Sequence, residues 1–461
     1  MIRAALLVAL ALTAAVGCAA PSPAGSRDED LRPAERKIIG AGVPYDADPA
    51  LRPRTAELDG SMRARRTAAW KALAKVLRPV AVAEPGVKVE GAPTIPLFRT
   101  WYGKDDFERL FGKMYAELSP GERKERRAFT AAELAKGLAW NAGDQGSWSD
   151  EEYLARVKGV TDRAFLQGLG GNGRVSYSPG FVSHMLREYK TTFACLPKLA
   201  DFGLLTPAPS ETNFAQCFSE ESPIDAALVK ASWWRADLGT ELPVYDTGRE
   251  TLAARRSGAT DEGGWGTGGG KANPDAARIY TIKTSDGSAY RMPAMHLATK
   301  ELREWLWITT WWSDAPDTDF GADRPDEIRA LGGPWSSYKM CVVSGYAEGD
   351  ADPRGGYDGS LGDALAAVHE GRGGATWCSN PYVEKGAKNA QTNCIGCHQH
   401  AGSPSLGSAA ILADAATFPR SGRTQLRKSF PSDYVWSFGA PPDFLARVVE
   451  AQVSHFDAID R

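Results

Sequence analysis

The chain has 461 residues, 43% of them hydrophobic and 24% charged, and a formal net charge of -3. That length is two or three domains' worth. A near-neutral balance with no basic stripe argues against a nucleic-acid partner.

At the N-terminus Met1-Ile2-Arg3 supplies a short positive region and Ala4 to Ala15 an apolar run, the pattern of an export signal over 1–18. The run is too short to span a bilayer as a permanent helix. Ala15-Val16-Gly17-Cys18 resembles the lipobox of bacterial lipoproteins, with Cys18 as the lipidated residue, although Ala15 stands where Leu is usual. Plain cleavage near the same place is the alternative. The expected location is the cell envelope, facing the periplasm. Ala19, where an Asp would retain a lipoprotein at the inner membrane, leans towards the outer membrane; without the lipid the chain would be soluble and periplasmic. Residues 19–55, rich in Pro, Ala, Gly and charge, read as a flexible tether, so that lipid would be the only link to a membrane.

An α+β fold is expected beyond the tether. Residues 56–220 read as mainly helical. Met62, Trp70, Leu73, Val76 and Leu77 fall at helical spacing over about 61–78, as do Phe107, Leu110, Phe111 and Met114 further on. Ser119 to Glu122, Thr130 to Glu133 and Ser149 to Glu152 each place a hydroxyl three residues before a carboxylate, the signature of a capped helix start. Residues 221–355 turn to β texture, with strands expected over 228–236, 278–284, 289–297, 305–312 and 338–346 and a hairpin turn at Asp286-Gly287. An antiparallel sheet follows. Gly264-x-Gly266-x-x-Gly269 lies in this region, but no helical pattern opens after it, so it reads as a mobile surface loop and not a dinucleotide site. Ala272 after Lys271 likewise rules out a P-loop.

Residues 356–461 return to helix, with Leu361, Leu365 and Val368 on one short helix and a final helix over about 443–458. Between them stands Cys394-Ile395-Gly396-Cys397-His398. Two thiols three positions apart, followed at once by His, are the spacing of a covalent c-type haem site, with His398 as an axial iron ligand. A redox disulfide or half of a zinc site are the other chemical readings. The first needs most of an α/β domain downstream and the second another close ligand pair. Neither demand is met well. Of the remaining thiols, Cys195, Cys217, Cys341 and Cys378 are expected to be disulfides in an oxidising compartment, and the local pairing Cys195 with Cys217 and Cys341 with Cys378 closes the shortest loops.

Trp377-Cys378-Ser379-Asn380-Pro381-Tyr382, the haem motif with Asn393 before it, and Phe430-Pro431-Ser432-Asp433-Tyr434-Val435-Trp436 together resemble a poorly characterised family of large bacterial monohaem c-type cytochrome lipoproteins. Met295-His296-Leu297-Ala298-Thr299-Lys300 adds to that likeness, which covers roughly 225–440. The resemblance implies haem binding and electron transfer, without a substrate.

What fills the sixth iron position separates a carrier from an enzyme. No Met follows Met340, so the downstream Met of small cytochromes c is excluded, and His400 is too close to His398 to reach the opposite haem face. His296, beside Met292 and Met295, is the first candidate; His455 on the last helix and Met292, Met295 or Met340 follow, and an open site is a further alternative. His184 and His369 have nothing to single them out. The expected function is single-electron transfer with a redox protein partner in the envelope. An enzyme with an open or displaceable sixth position acting on a small oxidant or ligand, and a redox-sensing binding protein, are the alternatives.

Overall fold

In the computed structural model of the chain, the described residues are 42–81, 94–139, 150–151, 153–154, 157, 173–199, 218, 220–257, 265–266, 268–369, 376–384, 393–399, 401, 432–436 and 445–461. Capping side chains fix where the early helices begin. Helix α1 (Met62–Leu77) starts at Ser61, whose hydroxyl accepts the Ala64 N–H. Helix α2 (Lys104–Ala116) buries Phe107, Leu110, Phe111 and Met114, the residues whose spacing predicts it. Helices α3 (Pro120–Glu125) and α4 (Ala131–Leu138) open on Ser119 and Thr130, and Glu122 and Glu133 return the bond to the backbone N–H of the cap. Two donors that a helix start leaves orphaned are satisfied each time. The third expected cap, Ser149 with Glu152, lies outside the described residues.

A strand interrupts the region expected to be helical. β1 (Gly173–Tyr177) pairs with the central sheet. Five residues are too few for a 2-residue period to stand out from a 3.6-residue one, and only Val175 and Tyr177 favour a strand. Helices α5 (Pro179–Arg187) and α6 (Tyr189–Leu199) follow.

The sheet itself lies close to where the sequence puts it. β2 (Ala227–Arg235), β3 (Thr281–Lys283), β4 (Ala289–Thr299), β5 (Leu306–Trp312) and β6 (Tyr338–Val343) are antiparallel throughout, in the order β6-β5-β4-β2-β1 with β3 also on β4. Gly287, at φ 85°, makes the tight turn between β3 and β4, a conformation that L side chains resist. The stretch after Gly269 is a short strand (Gly270–Ala272) and not a helix, so no dinucleotide site forms. Trp265 within that loop is nonetheless buried, which a mobile surface loop does not predict.

Helix α7 (Arg249–Ser257) packs on α8 (Gly359–His369), the haem motif forms the short helix α9 (Cys394–His398), and α10 (Leu445–Ile459) closes the chain. α10 returns to the start of the molecule. It packs on α2, α3 and α6, and Arg123 of α3 reaches Asp460 at 2.7 Å. With β1 in the sheet and α10 on the early helices, the boundaries at 220 and 355 do not divide separate bodies; the described residues belong to one compact unit within Arg36–Arg461. Among them no helix is long and apolar enough to cross a membrane.

Candidate functional site

Register brings the site together. Val175, Lys230, His296, Thr309 and Cys341 form one row across the sheet, and Leu228, Ala298, Trp307 and Val343 the next but one along the strands. Because side chains alternate, the two rows share a face. The C-terminal segments lie on that face and are fastened to it. Cys378 stands at disulfide distance from Cys341, with the Cα atoms 5.9 Å apart. The Asn380 amide donates to Thr309 Oγ1 at 2.7 Å and to the Thr310 carbonyl at 2.9 Å, and Trp265 Nε1 donates to Ser379 Oγ at 2.9 Å. Asn393 donates to the carbonyls of Tyr346 and Thr376, and its own oxygen accepts the Gly396 N–H at 2.8 Å, capping α9. Sheet face and segments enclose a cavity of about 330 Å³ lined by Lys230, His296, Trp307, Glu384, Cys394, Cys397, His398 and Tyr434 among others. That is within the range of small-molecule and cofactor sites.

His398 is held from two sides. Its Nδ1 bonds the Tyr434 carbonyl at 2.8 Å, and its ring centroid lies 4.2 Å from that of Trp307. A carbonyl can only accept, so Nδ1 carries the proton and Nε2 keeps its lone pair. Burial holds the imidazole pKa down at about 4, hence neutral at neutral pH. Tyr434 and Asp433 beside it both have left-handed backbones, at φ 67° and 46°, which costs on the order of 1–3 kcal/mol each. Such strain persists only where the surroundings over-determine it.

His296 contrasts with this. It faces the cavity half-buried and, among the described residues, makes no hydrogen bond through either ring nitrogen; burial, with Lys230 and His398 adding to it, lowers its pKa to about 3. Lys230, its cross-strand neighbour, also lacks a hydrogen bond or ion pair among the described residues, and burial lowers its pKa. Burial pushes the Glu384 carboxyl up to about 7. Ligand atoms of His296, Glu384 and Cys394 all lie within 4.8 Å of one another.

The two thiols carry no disulfide. Burial, with Glu384 adding to it, raises Cys394 well above the usual thiol range and Cys397 to about 12. A redox-active Cys-x-x-Cys works as a thiolate with a lowered pKa, so the surroundings disfavour that chemistry.

Of the residues singled out in the sequence, Cys394, Cys397, His398 and His296 converge on the cavity. His455 does not: it is exposed on α10, which packs on α2, α3 and α6. Met295 and Met340 sit on the opposite face of the sheet by alternation, and Met292 is four residues along β4 from His296, outside the cavity lining. His184 is buried against Phe218, 4.8 Å between centroids, and His369 is buried on α8. Cys195 is buried on α6, while its expected partner Cys217, together with Cys18 and His400, lies outside the described residues.

Lys230 and Glu384 were missed. Lys230 did leave a signal, a lone charge in the run Leu228 to Trp234 on the same side as Leu228. Glu384 left none. Comparison of the chain with protein-family models, curated proteins and solved structures finds no match. The functional reading therefore rests on the chemistry of the cavity.

Proposed function

We propose that this chain is a monohaem c-type cytochrome that exchanges single electrons with a redox protein partner in the cell envelope, held to the membrane by a lipid on Cys18. The observation that carries the reading is the state of His398: Nδ1 is committed to a backbone carbonyl and Nε2 is left with its lone pair beside a cavity that also holds Cys394 and Cys397. Metal-bound histidines are oriented in this way by the atom behind them.

The donor set fits the group. Cys394 and Cys397 would hold it through thioethers, His398 would be one axial ligand and His296, which lines the same cavity without a hydrogen bond among the described residues, the other. Lys230 would face its carboxylates. Trp307 and the turn 432–435 cover the His398 side and keep bulk water from it. When bound, the iron porphyrin supplies a one-electron couple. With His398 and His296 both holding the iron, the group would serve as an electron carrier more readily than as an enzyme with an open site, at a potential below that of a His/Met pair.

Extraction of the denatured, exported protein with acidified acetone tests this. The pigment is expected to stay on the chain, with the mass of one porphyrin added; pigment that washes away, or a chain of unmodified mass, overturns the reading.

A second reading has its own observation. His296, Glu384 and Cys394 are an N, O, S donor set that suits a divalent ion such as zinc. A thioether at Cys394 removes the thiolate, so the two readings exclude each other, and metal analysis of the same sample decides between them.

A further inference from the structure

Strand β4 carries His296 and ends one residue before Lys300, whose side chain is 0% exposed. A cation that is fully buried is costly unless paired. Lys300 Nζ lies 2.8 Å from Asp433 Oδ1, donates to the Arg303 carbonyl at 2.5 Å and lies 3.5 Å from Glu221. The other oxygen of Asp433 accepts the Ser222 N–H at 3.1 Å. Both carboxylate oxygens are thus committed to groups outside the turn that Asp433 belongs to.

That turn is where the backbone is strained. Asp433 and Tyr434 are consecutive residues in the left-handed region, and Val435 N–H closes the turn on the Ser432 carbonyl at 2.9 Å. Left to itself a Tyr relaxes out of this conformation. Held in it, the Tyr434 carbonyl points at His398 Nδ1, 2.8 Å away.

We propose that Lys300 and Asp433 are positioning residues for His398: their buried ion pair locks the strained turn that aims the Tyr434 carbonyl at the imidazole. One strand then sets both imidazoles of the cavity, His296 directly and His398 through Lys300, Asp433 and Tyr434. The consequence for electron transfer rests on the haem reading above. A hydrogen bond from Nδ1–H makes the ring a stronger donor, and a stronger donor favours ferric over ferrous iron. Loosening the turn therefore raises the reduction potential.

The test uses the full exported chain carrying Lys300→Met, Asp433→Asn or both. Each variant is expected to keep its pigment, to show a raised potential, and to exchange the His398 Nδ1 proton, followed by nitrogen-15 NMR, at least roughly tenfold faster than the parent. The double variant is expected to shift no further than either single one, because all three break the same contact. Variants that melt earlier while potential and proton exchange stay at parental values confine the pair to stability and overturn the proposal. If Lys300→Met does not fold, Asp433→Asn decides alone, since it keeps the side-chain volume and an acceptor for Ser222. Proton exchange needs no pigment. A parent chain without covalent porphyrin would sink the haem reading and still leave the positioning role to be decided by that measurement.

Discussion

Arg65 and Lys230 are both cations inside the protein, and their surroundings could hardly differ more. The Arg65 guanidinium donates to the carbonyls of Leu58 at 2.6 Å and Asp59 at 2.9 Å, bonds Asp350, and lies 2.7 Å from Glu348. Lys230, on the cavity face, has no hydrogen bond or ion pair among the described residues, and neither does His296 opposite it. Buried polar groups are normally satisfied, and those that are not call for an explanation. In the Arg65 cluster one guanidinium nitrogen holds the segment before α1 and another joins α1 to Glu348 and Asp350 in the loop after β6. On the cavity face Lys230, His296 and Glu384 converge with pKa values displaced by burial, which is the pattern of a functional site.

The contrast is broken most completely at the thiols. Replacing Cys394 and Cys397 together with Ala is expected to abolish covalent pigment altogether while far-UV circular dichroism stays that of the parent. Pigment that remains attached would mean the cavity is not what holds it. One step down, His296→Ala is expected to keep the pigment but convert a low-spin absorption spectrum to one that shifts on adding carbon monoxide, because an unsatisfied imidazole is replaced by an empty position. His455→Ala, on the exposed face of α10, should leave the spectrum unchanged. A reversed result for these two variants would return the sixth ligand to the last helix.

Stability sharpens the same comparison. Arg65→Met leaves Glu348 and Asp350 as buried carboxylates without their cation, and is expected to cost about 3–5 kcal/mol in urea unfolding. Lys230→Met in pigment-free protein removes a cation that feels Glu384 through space but makes no hydrogen bond or ion pair among the described residues, so a change within about 1 kcal/mol of zero, or a slight gain, is expected. Equal losses at the two positions would show that Lys230 has a structural partner after all.

Much of the fold was legible, for identifiable reasons. Ser119 with Glu122 and Thr130 with Glu133 are short-range codes, and both cap their helices. The Val, Ile, Thr and Trp runs that mark β2, β4, β5 and β6 are long enough for their texture to be plain, whereas β1, at five residues, is not. The motif Cys394 to His398 is local as well. What could not be read was register. Only the pairing of Lys230 with His296 and of Cys341 with Thr309 puts these residues on one face, and pairing is a property of two distant segments. Glu384 and the Tyr434 carbonyl enter the site the same way, through the tertiary attachment of segments whose own sequence carries no sign of it.

Titration separates the two centres by pH. Burial pushes Glu348 up to about 7 from an ordinary value of 4.5, against the opposing pull of Arg65 and the Ser344 N–H. A raised folded-state pKa means that the folded protein holds the proton more tightly than the unfolded chain does. The contribution is therefore complete below about pH 4.5 and is lost as pH rises through about 7, by roughly 2–3 kcal/mol. Glu384 is raised to about 7 as well and acts in the same sense, whereas His296 and His398, lowered to about 3 and about 4, act in the opposite sense as pH falls below their ordinary 6.5. Glu348→Gln is expected to shift the urea-unfolding profile between pH 4.5 and 8 towards higher pH stability by roughly 2–3 kcal/mol relative to the parent, with or without pigment, because its partners are all protein. The share belonging to Glu384 should change once the cavity is filled, since its neighbours His296 and Cys394 are then engaged. A pH slope that ignores filling of the cavity would mean that Glu384, like Glu348, belongs to the architecture and not to the site.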